Sequence, residues 1–187
     1  MNTTLKSSFV KIVLLLGFLS ILLVIQSCAT LSKGECIEAD WYEIGAKDGA
    51  NGRPTSRLDD HREACKKHGV SPNREQYYMG REEGIQIYCT RKNGFNVGYN
   101  GGYYSGACPI DLEQSFLTGY KHGQKIYKVK QNIASNDREI DKLEKELSEE
   151  KTKQERRKEI RNEIRHLDQN NMHLRDDLRV LENRYKY

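Results

Sequence analysis

Apolar residues recur at an alternating three-four spacing over the last third of the chain. The first run is Ile126, Val129, Ile133, Ile140, Leu143 and Leu147, with Asn136 in its gap. A second run is Ile160, Ile164, Leu167, Leu174, Leu178, Leu181 and Tyr185, with Asn171 in its gap. Each reads as the seam of a coiled coil. Ser148 to Glu159 has no apolar residue, and the second seam is out of phase with the first. The pattern favours an antiparallel hairpin turning near Ser148 to Thr152, with Thr152 and Glu155 as a capping box. A continuous helix with a phase slip is the alternative. A hairpin arm is about 50 Å long, whereas an unbroken helix would exceed about 110 Å.

Upstream, the apolar positions give way to a repeated glycine spacing. An aromatic residue, two others, Gly, three others and Gly occur four times between Tyr42 and Gly123. The copies begin at Tyr42, Tyr77, Phe95 and Phe116, and their glycines are Gly45 and Gly49, Gly80 and Gly84, Gly98 and Gly102, and Gly119 and Gly123. Glycines four apart on a helix leave a strip of bare backbone that a second backbone can approach. Each costs about 1 kcal/mol against Ala in a helix interior, so four copies point to a packing rule.

Helices are expected over Ala39–Asn51, then to about His68, then from Ser71-Pro72 to about Tyr88. Residues 89–108 hold five glycines and are expected to be an irregular, disulfide-closed loop with short turns. Cys108-Pro109 opens a long helix. The expected class is all-α, a small Gly-rich disulfide-linked helical domain followed by a long helical hairpin. The expected segments are a signal peptide over 1–27, a tether over 28–38, the Gly/Cys-rich domain over 39–123 and a coiled-coil tail over 124–187. Helices of the tail are expected at about 109–149 and 152–186.

The address is written at the start of the chain. Lys6 and Lys11 precede the apolar run Ile12 to Ile25, which suits a signal peptide better than a membrane span. Ile25-Gln26-Ser27-Cys28 then follows the spacing of a bacterial lipobox, with Cys28 the residue to be lipidated. Acyl chains there would anchor the protein in a membrane, at about 0.8 kcal/mol per buried methylene. Ala29 after the lipidated Cys resembles lipoproteins sorted to the outer membrane of Gram-negative bacteria, facing the periplasm. Losing residues 1–27 removes two lysines and no acid, so the formal charge falls from +4 to +2. That balance argues against a nucleic-acid partner.

Cys36, Cys65, Cys89 and Cys108 remain. In an oxidising compartment they read as two disulfides, and local loops favour Cys36–Cys65 and Cys89–Cys108. No Cys-x-x-Cys pair supports a zinc site, and no metal or cofactor is expected. His61, Cys65 and His68 have the spacing of metal ligands on one helix face, but solvated histidines flanking a disulfide cysteine are the favoured reading. Asp48, Asp59, Asp60 and Glu63 are candidate acid–base carboxylates. No nucleophile elbow, zinc-protease or phosphate-loop motif accompanies them, so the chain is expected not to be an enzyme. Tyr99, Asn100, Tyr103 and Tyr104 form the best candidate ligand loop, for peptidoglycan or another glycan. Packing over the glycine strips is the favoured alternative for those rings.

Asp40-Trp41-Tyr42-x-x-Gly45-x-x-Asp48-Gly49-x-x-Gly52, His61-Arg62-x-x-Cys65, Tyr77-x-x-Gly80-Arg81-x-x-Gly84, Tyr88-Cys89, Gly94-Phe95, Gly106-x-Cys108-Pro109 and Phe116-x-x-Gly119-Tyr120-x-x-Gly123 occur in that order. This series resembles a family of bacterial lipoproteins known as domain of unknown function 2799, over roughly Cys36 to Tyr127. The resemblance implies a lipidated envelope protein with a helical tail and carries over no activity or catalytic residue. The function expected is a lipid-anchored scaffold or adaptor that meets a protein partner, or itself, through the coiled coil. A peptidoglycan-binding module is the second reading and an unrecognised periplasmic enzyme the third.

Overall fold

The computed structural model describes residues 30–184. Among them are seven helices, α1 (Lys33–Ile37), α2 (Trp41–Ala50), α3 (Arg57–Lys66), α4 (Arg74–Tyr88), α5 (Arg91–Tyr99), α6 (Ile110–Ser148) and α7 (Gln154–Arg184), and no strand. The protein is all-α. The lipobox with Cys28 lies outside the described residues, as does Tyr185. No helix among the described residues is long and apolar enough to cross a membrane.

The chain divides into two compact units. The smaller comprises the chain up to Ala39 and Leu58–Pro72. Within residues 28–38, where a tether is expected, Ser32 starts helix α1. Its hydroxyl accepts from the Glu35 amide at 3.3 Å, and the Glu35 carboxylate accepts from the Ser32 amide at 2.7 Å. This reciprocal box ties down two amides that a helix start leaves open. Cys36 is joined to Cys65, and both are buried.

The larger unit, Asp40–Arg57 with Asn73–Tyr187, holds the glycine helices. They pair two by two, α2 with α4 and α5 with α6. A methyl group at Gly45 would strike the Tyr77 carbonyl, and one at Gly49 the Arg81 carbonyl. In return Gly80 faces the Tyr42 carbonyl and Gly84 the Ala46 carbonyl. Backbone touches backbone on both sides, which only glycine permits. Close Cα–H contacts with carbonyls and the many dispersion contacts of such a seam offset the helical cost of glycine.

The second pair repeats the first atom for atom. Gly94 faces the Phe116 carbonyl, Gly98 that of Tyr120, Gly119 that of Arg91 and Gly123 that of Phe95. Gly45, Gly49 and Gly52 recur 49 positions later as Gly94, Gly98 and Gly101, while Gly80 and Gly84 recur 39 positions later as Gly119 and Gly123. The turns match as well. Gly52 and Gly101 both have positive φ, 63° and 72°. A side chain at either would meet a tyrosine ring, Tyr88 in the first copy and Tyr127 in the second. Asn51 donates its side-chain amide to the Lys47 carbonyl, as Asn100 does to that of Asn96. The larger unit is therefore built from two copies of one glycine-paired hairpin.

This arrangement corrects two expectations. Residues 91–99 are a helix, not part of an irregular loop, with Thr90 accepting from the Asn93 amide as its cap. Gly102 is not a helix-packing glycine. It lies beyond the helix against Val97, and Gly94 holds the packing position. The start of α4 also differs, since Asn73 rather than Ser71-Pro72 caps it.

The two copies meet in one core. Ile85, Tyr88, Cys89, Cys108 and Phe116 are buried together, and Tyr88 stacks on Phe116 with ring centroids 5.0 Å apart. The Cys89–Cys108 bridge closes the chain around this core.

Beyond the second copy α6 continues without a break through Gly123 and pairs with α7. The hairpin is the arrangement adopted, and α7 alone is about 46 Å long at 1.5 Å per residue. Ile126, Leu143 and Ile160 of the two seams are buried. Thr152 does not cap α7, because its hydroxyl donates back to the Glu146 carbonyl. Arg156 instead locks the tip, gripping both oxygens of Glu146 at 2.8 and 3.0 Å and Glu163 at 2.9 Å.

Candidate functional site

Two copies of one scaffold allow a position-by-position comparison, and the differences fall in one place. Where the second copy has Val97, Phe116 and Tyr120, the first has Asp48, Tyr77 and Arg81. Phe116 is fully buried and apolar. Tyr77 is equally buried, but its hydroxyl donates to Asp48 Oδ2 at 2.8 Å. Burial first, and then the hydrogen bond to that carboxylate, push the Tyr77 hydroxyl far above its ordinary pKa, so it stays protonated.

Arg81 is 8 % exposed. Its Nη2 donates to the Arg53 carbonyl at 2.8 Å. Tyr120 makes the equivalent bond, its hydroxyl donating to the Gly102 carbonyl at 3.1 Å. The charge on Arg81 is thus not needed to close the turn. Its Nε is buried without a hydrogen-bond partner.

Arg81 lines a groove of about 490 Å³ together with Glu82, Ile85 and Gln86 of α4, Thr55, the segment Gly106 to Pro109, and Asp111. The Cys89–Cys108 disulfide holds the Gly106–Pro109 wall to the end of α4. That wall leads into α6, whose N-cap Pro109 makes no side-chain capping bond. Amides at such a helix start carry partial positive charge. The groove therefore offers a buried cation, a helix N-terminus, two exposed carboxylates and an apolar floor.

The residues singled out from sequence fall elsewhere. Cys65 is consumed by its disulfide, and His61 Nδ1 lies 2.8 Å from Thr30 Oγ1, so His61, Cys65 and His68 form no metal site. No group of three or more His, Cys, Asp or Glu suited to a metal occurs among the described residues. Asp59 pairs with Arg62 at 3.0 Å. Asp48 is occupied by Tyr77.

The tyrosine loop does not present one face of rings. Tyr99 ends α5, with Lys130 Nζ 4.1 Å above its ring and in contact with its hydroxyl. Asn100 is spent on the helix end. Tyr104 packs on Phe116 with centroids 4.7 Å apart, donates to Glu113 and accepts from the Cys108 amide. Tyr103 alone is open to solvent, at 86 %.

Sequence reasoning passed over Arg81. Its signal was present, an arginine following a helix-packing glycine where the later copy has tyrosine, but it shows only once the copies are aligned by their glycines.

Residues 40–125 match the model of a family described as Protein of unknown function (DUF2799). No curated protein and no solved structure matches the chain.

Proposed function

Residues 40–125 belong to the DUF2799 family of unknown function, and from that footing we propose that the chain is a non-catalytic adaptor, lipid-anchored in a bacterial envelope. In this reading Cys28 carries the lipid, the anchor lies in the outer membrane facing the periplasm, and α6–α7 reaches a protein partner. The observation that carries the reading is the continuity of α6. One helix of 39 residues is half of a glycine-paired hairpin at its start and half of the arm at its end. A load or contact on the arm is therefore transmitted to the domain through unbroken helical hydrogen bonds. Few large apolar residues are exposed on α7, Met172 and Val180 among them, in a surface of mixed charge. Such a surface suits a regulated, reversible contact better than a permanent interface.

Two experiments test it. Metabolic labelling with a clickable palmitate should mark the wild type and leave a Cys28→Ala variant unlabelled. Photo-crosslinkers placed along Arg156 to Arg184 in cells should capture a discrete adduct. Labelling that survives Cys28→Ala refutes the anchor, and recovery of free monomer from every position refutes the adaptor.

A further inference from the structure

The small unit begins almost at the lipid attachment point. Thr30 Oγ1 lies 2.8 Å from His61 Nδ1 on α3, Leu31 is buried, and Ser32 caps α1. Thr30 is the second residue after Cys28, so their Cα atoms are at most about 7 Å apart in any conformation. The headgroup layer of one leaflet is about 5–8 Å thick. A helix with its side chains is about 10–12 Å across. A unit leashed so closely to an acylated cysteine cannot clear the headgroups.

The duplication sets this unit apart from the hairpin it joins. The chain from Gly52 to Gly80 is ten residues longer than the matching chain from Gly101 to Gly119, and the longer connection contains α3. Helix α3 is thus an addition to the common hairpin. It receives the segment that follows Cys28 at two points, through His61 and through the Cys36–Cys65 bridge, whose Cα atoms are 5.4 Å apart. The added helix fastens the chain where the anchor enters.

The exposed side chains of the unit suit a lipid surface. Lys33 and Ile37 lie one turn apart on α1 and are both exposed, Ile37 at 59 %. Lys66 and Lys67 follow the buried Cys65 and are exposed as well. The unit as a whole is nearly balanced in charge, but some of its acids are engaged. Asp59 pairs with Arg62 at 3.0 Å, and the Glu35 carboxylate accepts from the Ser32 amide. Lysines lay their apolar stems along the acyl boundary and lift the ammonium to the phosphates, beside a buried aliphatic side chain.

We propose that the small unit is a seat in the phospholipid headgroup layer, with Ile37 directed to the acyl boundary and Lys33, Lys66 and Lys67 on anionic phosphates. The seat rests on the lipid at Cys28 in the reading above. It is independent of what the arm contacts.

The test uses the full lipidated chain in nanodiscs of phosphatidylethanolamine and phosphatidylglycerol, with palmitate labelling checked on the same sample. A gadolinium-chelating lipid should broaden the amides of residues 33–37 and 65–68 strongly. A flexible Gly/Ser linker inserted between Ala29 and Thr30 should leave more than half of that broadening, because the face itself holds the surface. Adding Lys33→Glu, Ile37→Ser, Lys66→Glu and Lys67→Glu to the linker protein should remove it, with the remaining amide shifts unchanged. Labelled protein without broadening overturns the seat and leaves the anchor standing, whereas absence of label overturns both. Loss of broadening on linker insertion alone shows a passive leash and overturns the docking face. Broadening that survives the four replacements in a folded linker protein overturns it also.

Discussion

Asn136 on α6 donates its side-chain amide to Asn171 Oδ1 on α7 at 2.9 Å, and Asn171, fully buried, donates in turn to Asp137 at 2.7 Å. Each asparagine interrupts one apolar seam, and the two interruptions meet. Only one register of the hairpin brings them together, so the pair specifies alignment at a cost in apolar burial.

Replacing both with leucine should therefore raise the melting temperature of the arm while loosening its register. The double variant Asn136→Leu/Asn171→Leu is expected to self-associate more strongly than the wild type on size exclusion with light scattering. A double variant that melts earlier than the wild type would show that the pair stabilises the arm rather than selecting its register.

The tip responds to pH in one direction. The Arg156 hydrogen bond holds the Glu146 carboxyl below its ordinary value of 4.5. A depressed carboxyl stabilises the fold above its unfolded value and loses that contribution as pH falls through its folded value. The protection factors of amides around residues 146–157 should be high at neutral pH and fall as the pH drops below 4.5, before those of the glycine-paired helices. Arg156→Gln should abolish the pH dependence. Both groups are exposed at the surface, so global stability should hardly change.

Opening the Cys89–Cys108 bridge should act on two properties at once. Replacing both cysteines with alanine should lower stability by about 2–4 kcal/mol in urea unfolding. Freeing the Gly106–Pro109 wall should also broaden the amide resonances of Gly106 and Ala107. Unchanged resonances would mean that the core contacts of Tyr104 suffice to hold that wall.

The sequence carried the helical class, the glycine strips and the hairpin, because each is a periodicity that survives without knowledge of partners. Gly45, Gly49, Gly80 and Gly84 were legible for that reason. Gly94 was not, since an aromatic three residues before the glycine defined the pattern and Arg91 stands there. Phe95 supplied a false frame that ended on Gly102. The partnering of α2 with α4 and α5 with α6 is long-range information, and only it exposes the 49- and 39-residue offsets. The groove was hidden for the same reason. Arg81 looks like an ordinary helix-surface arginine until the copies are aligned, when Asp48 and Arg81 stand where the second copy has Val97 and Tyr120. Helix α1 was missed because Ser32-Lys33-Gly34-Glu35, a capping box, lies in a stretch whose polarity resembles a linker.

The most direct measurement compares urea unfolding of Gly94→Ala with that of Gly102→Ala. A methyl at Gly94 meets the Phe116 backbone, which cannot move without parting the second helix pair. At Gly102 it meets mainly the Val97 side chain and carbonyl at 3.0 Å. The duplicated-hairpin account predicts a loss of about 3 kcal/mol or more at Gly94 and about 1 kcal/mol at most at Gly102. Equal losses, or a larger loss at Gly102, would contradict it.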